Sequence, residues 1–251
     1  MAVPSFSIQS QCHFLALPSE IRNTIYEIAL TEDEPLLCTA GDATRSPKLL
    51  KNDRLGPKNA RCEANQLKYA CWQLRYETKV LSLQFNEIHF IGIENFESFL
   101  VTSRPDLQKR FRNIVILDDH DSLKRSYTID QLVDRSMSPI LYTFCSRNPR
   151  ARVLIRNTRL FTEGAWLNIY CKLRETLRND MGERLLAIFD PETAVIIQEG
   201  AASLRCALLS RYKRTFLENL RIVPTVDYPQ LSTYWTNDQL LEAKRLFLEG
   251  C

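Results

Sequence analysis

Isoleucine recurs at positions 21, 25 and 28 of the stretch LPSEIRNTIYEIAL (17–30). That spacing places the three side chains on one face of a helix, with Ala29 beside them. Pro18 suits the first turn, where its missing N–H would be unpaired in any case. Glu20 lies near the positive end of the helix dipole. Residues 31–64 lose the periodicity and carry three prolines, two glycines and many charges. They read as a long surface loop with a short strand at PLLC (35–38). A second helix is predicted over 65–85, capped by Asn65. Leu67, Ala70, Cys71, Leu74, Thr78 and Leu81 form one stripe on it, and Trp72, Tyr76 and Val80 a second. Two stripes predict a helix covered on two sides.

The period then switches. EIHFIGI (87–93) reads as a strand, and ENFESFLVTS and PDLQKRF as helices. NIVILDD (113–119) is a run of β-branched and aliphatic residues, expected of a strand buried on both faces. A helix near 129–146 and a strand at ARVLIRN (151–157) follow. From about 162 onward the chain reads as helices. One starts at Asp190-Pro191 and breaks near Gly200, and the last runs from Asn237 or Asp238 to Gly250. The fold class is therefore α+β, in an α/β-like form: a helical head, a small and mainly parallel sheet with flanking helices, and a helical C-terminal part. Residues 1–251 read as one globular unit. The head spans 14–90 with a loop insertion at 31–64, and the α/β to helical body spans 91–251.

Composition narrows the class without naming a function. Apolar residues make up 45% and charged residues 25%, as in globular proteins rather than disordered ones. The longest apolar run is the five residues LLAIF (185–189), so no membrane partner is expected. The eight cysteines form no C-x-x-C pair, and the N-terminus lacks a secretory pattern. Reduced thiols in cytoplasm or nucleus follow as the expected setting. The net charge of +3 is too small to imply nucleic acid.

No two glycines are close enough for a nucleotide-binding loop, and G-x-S-x-G and H-E-x-x-H are both missing. No cofactor, metal site or catalytic residue is expected. Two clusters stand out nonetheless. Asp118, Asp119, His120 and Asp121 follow the strand at 113–117, where a divalent ion or a proton-transfer group would sit; the alternative is a solvated acidic loop. Residues 135–162 hold Arg135, Arg147, Arg150, Arg152, Arg156 and Arg159 and no acid. Strand alternation turns Arg150, Arg152 and Arg156 to one side, and Arg211, Lys213 and Arg214 would extend the patch. An acidic partner or nucleic acid would suit it. A solvated face, or pairing with the acids of 118–121, suits it better, because no aromatic residue interleaves for base stacking.

Two stretches carry a resemblance. LPSEIRNTIYEIAL resembles the first helix of F-box modules, L-P-x-E-[IL]-x-x-x-I-x-x-x-L. LKYACWQLRYETKVLSLQFNEIHF (67–90) resembles the later segment of fungal F-box-like proteins, among them the family named for two E-x-R motifs. The first such motif stands as Glu20-Ile21-Arg22. The second is altered to Gln73-Leu74-Arg75, and Trp72 replaces the usual arginine. Asn86 and Phe90 match the end of the pattern.

The resemblance implies an F-box-like helical head leading into a strand, a fungal source and a Skp-type adaptor of a cullin ubiquitin ligase as partner. It also implies cross-pairs between the helices, Glu20 with Arg75 and Arg22 with Glu77, fixing register more than stability. The isoleucine stripe then has two readings. It is core under the second helix, or part of the surface at Leu17, Pro18, Ile21 and Ile25 stays exposed and docks the adaptor. A protein–protein interaction module is the leading expectation. A stand-alone interaction protein with no ubiquitin link, a metal-dependent enzyme at 118–121 and a nucleic-acid binder are the alternatives.

Overall fold

The computed structural model describes residues 13–39, 48–51, 62–117, 138–157, 191–212 and 217–224, with a few positions between 236 and 245. Helix α1 (Ser19–Leu30) leads into a hairpin of β1 (Leu36–Thr39) and β2 (Lys48–Lys51). A 3-10 turn (Leu67–Tyr69) and two short helices, α2 (Trp72–Thr78) and α3 (Ser82–Phe85), precede β3 (Glu87–Ile91). Then come α4 (Ile93–Thr102), α5 (Pro105–Gln108) and β4 (Asn113–Leu117). The remaining described elements are α6 (Pro139–Arg147), β5 (Arg152–Asn157), α7 (Pro191–Tyr212) and β6 (Leu220–Pro224).

The six strands form one sheet in the order β2-β1-β3-β4-β5-β6. Only the β1–β2 pair is antiparallel; every other neighbour is parallel. From β3 to β6 each strand lies beside its successor in sequence. Each parallel step therefore needs a crossover, and α4 with α5, α6 and α7 fall in the three crossovers. Proline opens α5, α6 and α7, where its fixed φ suits the first turn and its missing donor costs nothing. Gly92 makes the turn from β3 into α4 at φ +80°, and its N–H donates to Leu117 O at 2.7 Å. Other residues adopt that φ only with strain.

Strand alternation sets Ile88 and Phe90, Ile114 and Ile116, Val153 and Ile155, and Leu220 and Ile222 on one sheet face, all buried. Helices α4 and α6 close over it through rings. Phe90 meets Phe96 at 4.8 Å, Phe99 at 5.5 Å and Phe111 at 6.3 Å, and Phe96 meets Phe144 at 5.4 Å. Such edge-to-face rings add to the area they bury. Val115, on the opposite face, is buried as well, so β4 is covered on both sides as its unbroken apolar run predicts.

Several expectations need correction. The helix expected over 65–85 is three pieces. Cys71, in extended conformation, interrupts it and caps α2 by accepting from Leu74 N. Further on, Asn65 Nδ2 donates to Thr78 O at 2.9 Å. The same carbonyl also accepts from Leu81 N at 3.1 Å, three residues on, so the chain tightens into a turn and α2 ends there. The cap expected of Asn65 is present on the 3-10 turn, through Lys68 N to Asn65 Oδ1. The region 31–64 holds a hairpin as well as loop, and its first strand matches PLLC. Strand β6 lies where only helices were expected. LRIV is too short to show a period, and Pro224 ends the strand on the sheet edge, where a missing donor is tolerated. Gly200 does not break α7, which runs through it to Tyr212. No helix among the described residues is long and apolar enough to cross a membrane.

Candidate functional site

Helix α1 does not bury its isoleucines. Ile21, Ile25 and Ile28 are 50%, 37% and 76% exposed, while Tyr26 and Leu30 are the residues turned inward. The core reading of the stripe is therefore overturned. The reason is polar. Tyr26 donates its hydroxyl to Glu77 Oε2 at 2.6 Å. Arg22, one turn earlier on the same face, donates to both Glu77 oxygens at 3.1 and 3.0 Å. Gln73 Nε2 adds a fourth donor to Glu77 Oε1 at 2.9 Å. Satisfying this carboxylate rotates the Arg22–Tyr26–Leu30 row inward and the isoleucine row outward.

The electrostatics follow. Burial pulls the Glu77 carboxyl upward, but the hydrogen bonds from Tyr26, Gln73 and Arg22 together outweigh it and hold the group below the usual carboxylate range. Burial first, and then its bond to Glu77, pushes the Tyr26 hydroxyl up to about 12. Arg22 also holds the entry to α1. Its Nη1 donates to Leu17 O at 2.6 Å and to Leu15 O at 3.4 Å. Leu17 is half-buried and Pro18 exposed. Glu20 and Arg75 are both exposed, and no ion pair joins them among the described residues; the expected second cross-pair is not formed.

The second expected stripe of 65–85 is uncovered at Trp72 and Tyr76, while Val80 is half-buried. Trp72 and Tyr76 are 77% and 62% exposed and stack at 5.6 Å with their planes 13° apart. Lys79 lies 5.0 Å over the Tyr76 ring. Helical spacing marks an apolar row, and it does not tell whether protein or solvent covers that row. The head thus shows two apolar features to solvent, on helices joined through Glu77.

The polar side of the sheet forms a second cluster that the sequence reading missed. Glu87 and His89 of β3, Asn113 of β4, Arg152 and Arg156 of β5 and Arg221 of β6 share the face opposite the ring core. His89 Nε2 and Glu87 Oε1 are 2.6 Å apart. The His89 bond, joined by the charges of Arg156 and Arg152, outweighs burial and holds Glu87 below its ordinary range. Its signal was alternation: the even spacings of Glu87 with His89 and of Arg152 with Arg156 each keep a polar pair on one side of a strand. The expected patch of Arg150, Arg152 and Arg156 is divided. Arg152 and Arg156 look toward Glu87, and Arg150 lines a separate cleft.

Asp118, Asp119, His120 and Asp121, with Arg135, Arg159, Lys213 and Arg214, lie outside the described residues. No group of three or more His, Cys, Asp or Glu able to hold a metal occurs among the described residues. Their five cysteines, two of them buried, are free thiols. Comparison with protein-family models finds no match for this chain, and neither do comparisons with curated proteins and with solved structures.

Proposed function

We propose that this chain is a protein-binding module whose head docks a partner through the outward face of α1. Leu17, Pro18, Ile21 and Ile25 form the contact, and a Skp-type adaptor of a cullin ubiquitin ligase is the partner. The α/β body then presents a second protein to the ligase, in cytoplasm or nucleus, and the chain itself performs no chemistry. One observation carries the reading: the isoleucine row of α1 faces solvent although the sequence had an apolar row available to bury. Exposed aliphatic rows at i, i+4 and i+7 are the contact used by helices that dock into grooves. The motif resemblance of residues 17–30 supports the choice of adaptor.

The test is co-purification with a Skp-type adaptor, comparing wild type with Ile21→Asp/Ile25→Asp. Both positions are exposed, so circular dichroism should show an unchanged fold. Binding lost in the folded variant supports the proposal. A wild-type chain that captures no adaptor sinks it.

A second reading rests on a different observation. The β1–β2 hairpin, inserted between α1 and α2, joins the body sheet through β3, whereas F-box modules are compact. This favours a stand-alone interaction protein with no ubiquitin link, binding through the Trp72–Tyr76 stack. Trp72→Ala would then abolish partner capture while Ile21→Asp would not.

A further inference from the structure

A cleft of about 240 Å³ opens at the amino ends of β4 and β5, beside the end of α6. Four cations line it, Lys109, Arg112, Arg147 and Arg150, and no acid does. None of the four makes an ion pair among the described residues.

Ordinary structural duties do not account for them. A cation in the last turn of a helix commonly serves the free carbonyls there. Here those carbonyls are served by asparagines. Asn148 donates to Phe144 O from its side chain at 2.8 Å and from its backbone at 2.9 Å. Asn219 Nδ2 lies 3.0 Å from Cys145 O, Asn148 O and Ala151 O alike, tying off the turn from α6 to β5. Arg147 and Arg150 are left exposed with their forks uncommitted, and Arg112 adds only a 3.5 Å contact to Phe111 O. The floor is packed: Phe111, Asn148 and Ala151 are buried. Like charges gathered without a counter-charge raise the local potential and attract an anion. Three planar guanidinium forks suit the tetrahedral oxygens of a phosphate better than a single carboxylate.

We propose that this cleft binds a small soluble ligand through its phosphate groups, held by Arg112, Arg147 and Arg150 with Lys109 adding charge. No residue of α1 lines the cleft, and the proposal does not rest on the reading of the head.

The experiment is calorimetric titration of the full chain with inorganic pyrophosphate, with sulfate at equal ionic strength as the comparison. Arg112→Gln/Arg150→Gln is the test variant. Arg75→Gln/Lys79→Gln removes the same charge elsewhere and is the control. Pyrophosphate should bind wild type and control alike, more tightly than sulfate, and about tenfold or more weakly to the test variant, which loses two charge-assisted contacts. The test variant should melt close to wild type without ligand, since it relieves repulsion and loses only the 3.5 Å contact of Arg112 to Phe111 O; Arg147→Gln gives a second variant should it fail to fold. Equal pyrophosphate affinity in test and control variants, or wild-type binding no stronger than that of sulfate, overturns the proposal.

Discussion

Arg22 and Glu77, 55 positions apart in the chain, meet through two parallel hydrogen bonds of 3.1 and 3.0 Å, and the same carboxylate accepts the hydroxyl of buried Tyr26. One side chain of α2 thus sets the rotation of α1. Glu77→Ala strips Arg22, Tyr26 and Gln73 of their shared acceptor. Leaving the Tyr26 hydroxyl buried and unpaired should cost about 1–3 kcal/mol in urea unfolding. Tyr26→Phe and Glu77→Ala should be non-additive in a double-mutant cycle, because each removes the bond between them. Additive losses would show that the hub does not act as a unit.

The same hub gives the stability a pH dependence on both sides. Glu77, Glu63 and Glu87 all ionise below their ordinary values in the folded chain. A depressed carboxylate contributes stability above the unfolded pKa of about 4.3, lost as pH falls through the lower folded values. Tyr26 has the opposite sign. Raised from 10.0 to about 12, its contribution is intact below pH 10 and is lost as the pH rises toward 12. Melting temperature against pH should therefore fall at both ends. Tyr26→Phe should lessen the alkaline slope without removing it, because burial also raises the Cys38 and Cys145 thiols from 9.0 to about 12, and should leave the acid limb sloping.

Asn86 joins three segments. Its Nδ2 donates to Leu30 O at 2.7 Å and Ser82 O at 3.0 Å, and its Oδ1 accepts from Glu32 N at 2.7 Å. The side chain is buried, so Asn86→Leu would leave backbone groups unpaired at a cost of about 2–4 kcal/mol. Equilibrium unfolding measures this directly, and a loss under about 0.5 kcal/mol, the range of ordinary surface substitutions, would mean that water replaces the amide.

Ile28 and Phe90 should behave as opposites. Ile28 is 76% exposed, and Ile28→Ser should change stability by no more than about 0.5 kcal/mol. Phe90 touches three other rings, and Phe90→Ala should cost about 3–5 kcal/mol. A large loss at Ile28 would place it in a core and remove the support for docking through α1.

Where local pattern dictates structure, the sequence was enough. The β-branched run at 113–117, the alternation at 151–157, PLLC and the helix start at Pro191 all appear in the fold. Long-range polar contacts were not legible. Rows 21-25-28 and 22-26-30 of α1 are both helical, and only Glu77, far along the chain, decides between them. The breaks in 65–85 fall at Cys71, extended and capping α2, and at Thr78, whose carbonyl Asn65 and Leu81 N share; no periodicity encodes either. Strand β6 escaped because four apolar-rich residues between helices have no readable period. The arginine patch was visible as composition, yet its division needed the turn that Asn219 holds.

The ends of the sheet bear on how a partner can approach. At one end β2 is four residues long with Lys48 and Lys51 at its termini, and its outer edge is already engaged by Cys62 O and Ala64 N; at the other β6 finishes in Pro224. Short edge strands, terminal lysines and a proline all discourage another chain from adding a strand. Recognition by backbone ladders is therefore disfavoured at both margins. A partner of the kind proposed would then be chosen by side chains, so single substitutions on the surface, rather than changes to the frame, are the natural route by which its specificity would drift.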